Sequence, residues 1–143
     1  MKISLKNRTI LKEKIEAKEI RKIVKALLEN ENRRLGEIEI VLLDDAEILK
    51  INKIFLKHDY FTDVISFGYN KKRKISGDIF ISVESVKKNA VKFRQKFTNE
   101  FIRVIIHGTL HLVGYNDNSV DERKRMKKKE NLYLKMAEKL VND

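Results

Sequence analysis

Residues 100–117, E-F-I-R-V-I-I-H-G-T-L-H-L-V-G-Y-N-D, constrain this chain more than any other stretch. Phe101, Val104, Ile105, Ile106, Leu110, Leu112 and Val113 make a helix-like run that is apolar on most of its circumference. Such a helix is largely buried. His107 and His111 stand four residues apart inside it, a spacing that stacks both imidazoles on one face, one turn apart. Gly114 follows three residues after His111, where helices often end in a left-handed turn that glycine adopts at least cost. The chain can then double back and bring Asp117 toward the histidine face. Two nitrogen donors and one carboxylate, with a fourth position open, is how a catalytic zinc site is built.

A lone pair of histidines at this spacing is more often an ordinary surface or core pair than a metal site. Three further features tip the reading toward metal here: the apolar flanks, the glycine at the turn, and the oxygen donor beyond it. The same residues exclude one class of metalloenzyme. Zinc peptidase helices carry H-E-x-x-H, with Glu as the general base. The residue after His107 is Gly108, which offers no side chain for that role.

The rest of the composition narrows the setting. At 143 residues, one domain spanning 1–143 is expected. Hydrophobic residues make up 42% of the chain, enough for a core, and no apolar run nears membrane-spanning length. The start, M-K-I-S-L-K-N-R, has no long apolar region of the signal-peptide kind. Cysteine is absent, so disulfides are excluded and a reducing cytoplasm suits the chain. Thirty-two Lys and Arg against 21 Asp and Glu give a formal charge of +11, which favours a polyanionic partner over a merely soluble surface.

Taken in order, residues 2–6 alternate and predict a strand. Leu11, Ile15, Ile20, Ile23, Val24, Leu27 and Leu28 recur at helical spacing and predict a helix over 11–28 that ends near Asn30. Residues 37–43 predict a second strand, and Asp44 or Asp45 can cap a helix over 46–56. Residues 63–67 and 77–82 predict two strands paired as a hairpin across a basic loop, Lys71 to Lys74. Ser82 can cap a helix to Phe93, the histidine helix covers 99–113, and Ser119-Val-Asp-Glu122 matches a capping box opening a last helix to Leu140. The expected class is α+β in the order βαβαββααα, a small mixed four-stranded sheet packed with about five helices.

The histidine segment resembles the YbeY family, the bacterial endoribonucleases of ribosomal RNA maturation, whose hallmark reads H-G-x-L-H-L-x-G-Y-D-H. His107, Gly108, Leu110, His111, Leu112, Gly114 and Tyr115 are identical to it. Asn116 replaces Asp, and Asp117 replaces the third histidine. Residues 51–67 resemble the family's L-N-x-x-Y-R-x-x-D-x-P-T-D-V-L-S-F, with Leu56 at its arginine and Phe61 at its proline. Gly77-Asp78-Ile79, Glu100, Met126 and Glu130 also fall at family positions, so the resemblance covers roughly residues 45–130.

That resemblance implies a zincin-like fold and a zinc-dependent endoribonuclease specific for single strands. It implies action in maturing the 3′ end of small-subunit (16S) ribosomal RNA and in ribosome quality control, with the ribosomal small subunit as partner. One Zn2+ at His107, His111 and Asp117 is the expected cofactor. Two histidines and a carboxylate also suit iron, manganese or nickel. A carboxylate in place of imidazole makes the metal a weaker Lewis acid. Asp63 and Ser66 are candidates for orienting substrate or water, against the plainer roles of a turn residue and a strand filler. Glu100, two turns before His107, is placed either to hydrogen-bond a ligand histidine or to pair with Arg103. Lys71 to Lys74 and Arg123 to Lys129 are candidate phosphate contacts. His58 is a candidate RNA contact, while Tyr115 and Phe67 could stack a base or belong to the core. Two other readings fit the motif: an RNA- or ribosome-associated binding protein with a structural or lost metal, and a metallohydrolase on another substrate.

Overall fold

A computed structural model describes residues 2–7, 15–56, 62–69 and 73–142. Leu11, His58, Phe61, Lys71 and Lys72 lie outside the described residues; the first helix, expected over 11–28, begins only at Ala17, because Glu16 is in extended backbone at its N-cap. The element order is β1 (Lys2–Lys6), α1 (Ala17–Asn30), β2 (Arg34–Leu43), α2 (Asp45–Leu56), β3 (Val64–Gly68), β4 (Lys74–Ser82), α3 (Val83–Lys92), α4 (Phe97–Val113) and α5 (Val120–Asn142). This is the α+β order expected.

The four strands form one mixed sheet in the order β1-β2-β4-β3. β1 and β4 both run parallel to β2, and β3 pairs antiparallel with β4 as the hairpin reading requires. Two strands begin earlier than expected. Arg34 pairs with Lys74, so the polar residues ahead of both predicted strands join the ladder, and an irregularity between Leu35 and Ile38 breaks the alternation there.

Strand periodicity divides the sheet into two faces. Ile3, Ile38, Ile40, Ile79 and Ile81 lie on one face in register and are buried in the main core with α1, α4 and α5. The other face carries Leu43, Ile65, Val41, Phe67 and Phe80, which pack with Ile48 and Ile51 of α2 in a smaller cluster. Phe67 lies edge-on to both Phe55 and Phe80, so it belongs to that cluster.

Three helix starts carry the caps their sequences suggest. Asp44 accepts from the Glu47 amide while Glu47 accepts from the Asp44 amide. Ser82 accepts from the Ser85 amide. Ser119 and Glu122 form the reciprocal box that opens α5. These bonds fix helix directions; packing fixes helix positions. Phe101, Val104, Ile105, Ile106 and Leu110 of α4 are all essentially buried. Each contributes about 1.5–3 kcal/mol by leaving water. α4 is therefore seated by its apolar sides, and its remaining face is held still.

Gly108 sets how closely α4 lies on the sheet. A Cβ there would stand 2.9 Å from Ile79 Cγ2, 3.1 Å from Ser66 Oγ and 3.2 Å from Val64 Cγ2. The Ser66 hydroxyl donates to the Gly108 carbonyl at 3.0 Å. Overpacking a site like this costs about 1–3 kcal/mol, against about 1 kcal/mol of helix propensity gained from alanine. Ile79 is fully buried and branched at Cβ, so its methyl cannot swing away. Gly108→Ala is expected to lower stability by about 1 kcal/mol, read as a lower urea midpoint with unchanged slope.

Candidate metal centre

His107 and His111 lie one turn apart on α4 and are both partly buried. Gly114, at φ 121°, ends the helix. Its amide bonds to the His111 carbonyl and the Tyr115 amide reaches back to the Leu110 carbonyl, the paired bonds of a glycine helix stop. The chain reverses there, and Asp117 comes to the histidines. His107 Nε2 and His111 Nε2 are 3.1 Å apart, and Asp117 Oδ2 lies 3.4 Å from each. Four ligands at bonds of about 2.0–2.1 Å and tetrahedral angles would stand about 3.3–3.4 Å apart. Three donor atoms in a triangle of that size fit a divalent ion, and the mixed imidazole–carboxylate set suits zinc among others. It is the one such cluster among the described residues.

Behind the triangle lies a network of charge. Glu130 of α5 accepts from His107 Nδ1 at 2.7 Å. That bond puts the ring proton on Nδ1 and leaves the Nε2 lone pair facing His111 and Asp117. Arg103, one turn before His107, donates to Glu130 at 2.9 Å and to Glu100 at 2.7 and 2.8 Å. Glu100 is thus the partner of Arg103, not of a histidine. Asp63 lies 3.6 Å from the Arg103 guanidinium and accepts from Asn89 at 3.3 Å.

Protonation follows from this arrangement. Burial works against a charged His107 ring, yet the Glu130 hydrogen bond and charge outweigh it, and His107 is held above the ordinary imidazole value. Burial and the neighbouring His107 push His111 below it. Burial raises the Asp63 carboxyl above the usual carboxylate range although Arg103 opposes that. Burial also acts against the Glu130 carboxylate, but its bond to His107 and the Arg103 charge bring it below that range. The two neighbouring imidazoles are thus shifted in opposite directions by their surroundings.

The turn bearing Asp117 has its own anchor. The Tyr115 hydroxyl donates to Glu31, just past α1, at 2.6 Å. Glu31 also accepts from Tyr133 and, at 3.0 Å, from Lys129 of α5. Tyr115, a candidate base-stacking ring, is therefore tethered by its hydroxyl, and the Lys129 ammonium lies 5.6 Å from its ring centre.

Of the polar candidates on or beside β3, Asp63 joins the Arg103 network and Ser66 faces the Gly108 carbonyl. Among the described residues neither is hydrogen-bonded to a donor of the triangle. Arg73 and Lys74 are exposed, as are Arg123, Lys124, Arg125, Lys127 and Lys128, whereas Lys129 is tied to Glu31. Sequence reasoning gave no role to Glu130. Its signal was there: Met126, Glu130, Tyr133 and Ala137 form the buried stripe of α5. A carboxylate in such a stripe must find a buried partner.

A mixed sheet backing a helix with paired imidazoles, and a carboxylate beyond a glycine turn, is the frame of a metal-dependent hydrolase. The family model for endoribonuclease YbeY matches residues 2–138, and the chain belongs to that family. It is accordingly a metal-dependent endoribonuclease of ribosomal RNA maturation, with RNA as its substrate. Relatives named endoribonuclease YbeY include one from Bacteroides fragilis, 42% identical over 85% of this chain and 88% of its own. Another, from Phocaeicola vulgatus, is 47% identical over 71% of this chain and 74% of its own. The solution structure of TM1509 from Thermotoga maritima superposes with a TM-score of 0.64 at 26% identity, covering 95% of this chain and 89% of that one. Among the described residues no helix is long and apolar enough to cross a membrane.

Proposed function

We propose that His107, His111 and Asp117 hold one divalent metal, zinc in the first instance, and that the chain works as one domain over 1–143. The substrate is single-stranded RNA near the 3′ end of 16S ribosomal RNA. The chain acts in ribosome quality control as well as maturation, in the cytoplasm and in association with the small subunit. The observation that carries this reading is the triangle of donor atoms with sides of 3.1–3.4 Å, one of them fixed from behind by Glu130.

A divalent ion supplies Lewis acidity toward a phosphoryl oxygen and toward water. The chain's own residues supply the rest. Glu130 keeps the His107 Nε2 lone pair facing inward. Asp63, held at the edge of the Arg103 network, is the group that orients the attacking water and takes its proton. Ser66 seats α4 through the Gly108 carbonyl and takes no part in proton transfer.

Elemental analysis of the purified protein, with cleavage of single-stranded RNA assayed with and without chelator, tests the reading. One metal per chain and chelator-sensitive cleavage are expected; full cleavage by protein stripped of metal would defeat it. Asp63→Asn keeps the side chain's shape and removes its basicity. It is expected to lower kcat about 100-fold or more with metal content unchanged. An unaltered kcat would leave Asp63 only its contacts with Arg103 and Asn89.

A further inference from the structure

Beside the Asp117 turn, on the side of α1 and α5, lies an open cleft of about 340 Å³. Its walls include Arg33, Tyr115, Asn116, Arg125, Glu31 and Glu122. We propose that this cleft is a phosphate subsite, in which Arg33 and Arg125 hold a backbone phosphate of the RNA strand beside the scissile bond. The inference rests on the endoribonuclease reading and adds a binding position to it.

Charge accounting within the cleft carries the argument. The Glu31 carboxylate already accepts from Tyr115, Tyr133 and Lys129. Glu122 accepts from the Ser119 amide in the cap of α5. Both anions are therefore engaged by the fold. The guanidinium groups of Arg33 and Arg125 have no hydrogen bond or ion pair among the described residues. Lys129 balances Glu31, so the two arginines exceed the cleft's remaining anion, Glu122, by one positive charge, which favours an added anion. Guanidinium is also the side chain best matched to phosphate, through paired N–H donors.

The anion can be named by class from its place. Asn116, in the cleft wall, is the residue next to Asp117, and their Cα atoms are about 3.8 Å apart. A strand with one phosphodiester at the triangle of donors would lead its neighbouring phosphates past this wall. The wall is also firm, since Tyr115 is tied to Glu31 and its backbone to Leu110. Binding a phosphate there requires little reordering. Arg123, Lys124, Lys127 and Lys128 of α5 are exposed as well, so the surface next to Arg125 is cationic.

The double variant Arg33→Ala/Arg125→Ala, in metal-loaded protein, tests the subsite. The readouts are KM and kcat for a single-stranded RNA, with binding of a labelled DNA strand of the same sequence as a phosphodiester probe. KM and the DNA dissociation constant are expected to rise about 10-fold or more. kcat should stay within about twofold. The slope of log affinity against log salt should fall by about 0.7 per lost contact. Lys18→Ala/Lys22→Ala, which removes equal charge from the outer face of α1, should change these values far less. The subsite is refuted if the arginine pair leaves KM and the salt slope unchanged, or if the lysine pair matches it. Should wild-type protein cleave no RNA, the enzyme reading fails, and the DNA titration still decides the subsite.

Discussion

Replacing His111 with alanine should empty the metal centre and abolish RNA cleavage while the fold persists. His111 supplies one of three donor atoms, and the two that remain, His107 Nε2 and Asp117 Oδ2, lie 3.4 Å apart. Two donors hold a divalent ion far more weakly than three, so metal should be lost on dialysis. Activity should fall by at least about 10³-fold, the scale on which a Lewis acid lowers a phosphoryl-transfer barrier by several kcal/mol. The ring is half-buried, so its removal should change stability of the metal-free protein only modestly. The measurements are metal content per chain, cleavage of single-stranded RNA, and the urea midpoint of metal-free protein. Retained cleavage with no metal bound would remove His111 from the chemistry. A collapsed fold would make the histidine a structural residue, the reading open to a binding protein.

The second large effect lies in α5. Glu130→Ala leaves two groups without their partner: the His107 Nδ1–H and one edge of the Arg103 guanidinium. Breaking one side of a mostly buried charge network costs about 3–5 kcal/mol, and losing the carboxylate behind a ligand histidine typically weakens metal binding about 10–100-fold. Glu130→Gln separates the two roles. Its amide oxygen can still accept from Nδ1–H, but the negative charge is gone. The glutamine variant should therefore retain most of the stability and still show weaker metal binding by chelator competition. If both variants bind metal like the wild type, Glu130 belongs to the Arg103 network alone.

Much of this was readable in the chain, and the limits have physical causes. α4 announced itself because its apolar period, its paired histidines and Gly114 all lie within one continuous segment. Caps were legible for the same reason: Ser82 and Ser85, and Ser119 and Glu122, are only three positions apart. The early starts of β2 and β4 were hidden because Arg34 and Lys74 are polar, and only their pairing across the sheet makes them strand residues. Glu130 lies 23 residues from His107, and Glu31 lies 84 from Tyr115. Those contacts exist only once α1, α4 and α5 have docked, so the local stripe of α5 could mark Glu130 as buried but not name its partner. Glu100 was placed correctly on the histidine face, yet sequence could not decide between its two roles. The structure assigns it to Arg103 because the guanidinium is one turn away and can grip the carboxylate with two nitrogens.

The ties from α1 to Tyr115 and from α5 to His107 have a kinetic corollary. An ion held as proposed, by groups whose supports come from opposite stretches of the polypeptide, would not leave by fraying of a single loop. Its escape would then require separation of whole helices, an opening of the sub-global kind seen by amide exchange. The off-rate of the ion should then rise with urea in parallel with deuterium uptake in α5, making metal release a stopwatch for the docking of that helix.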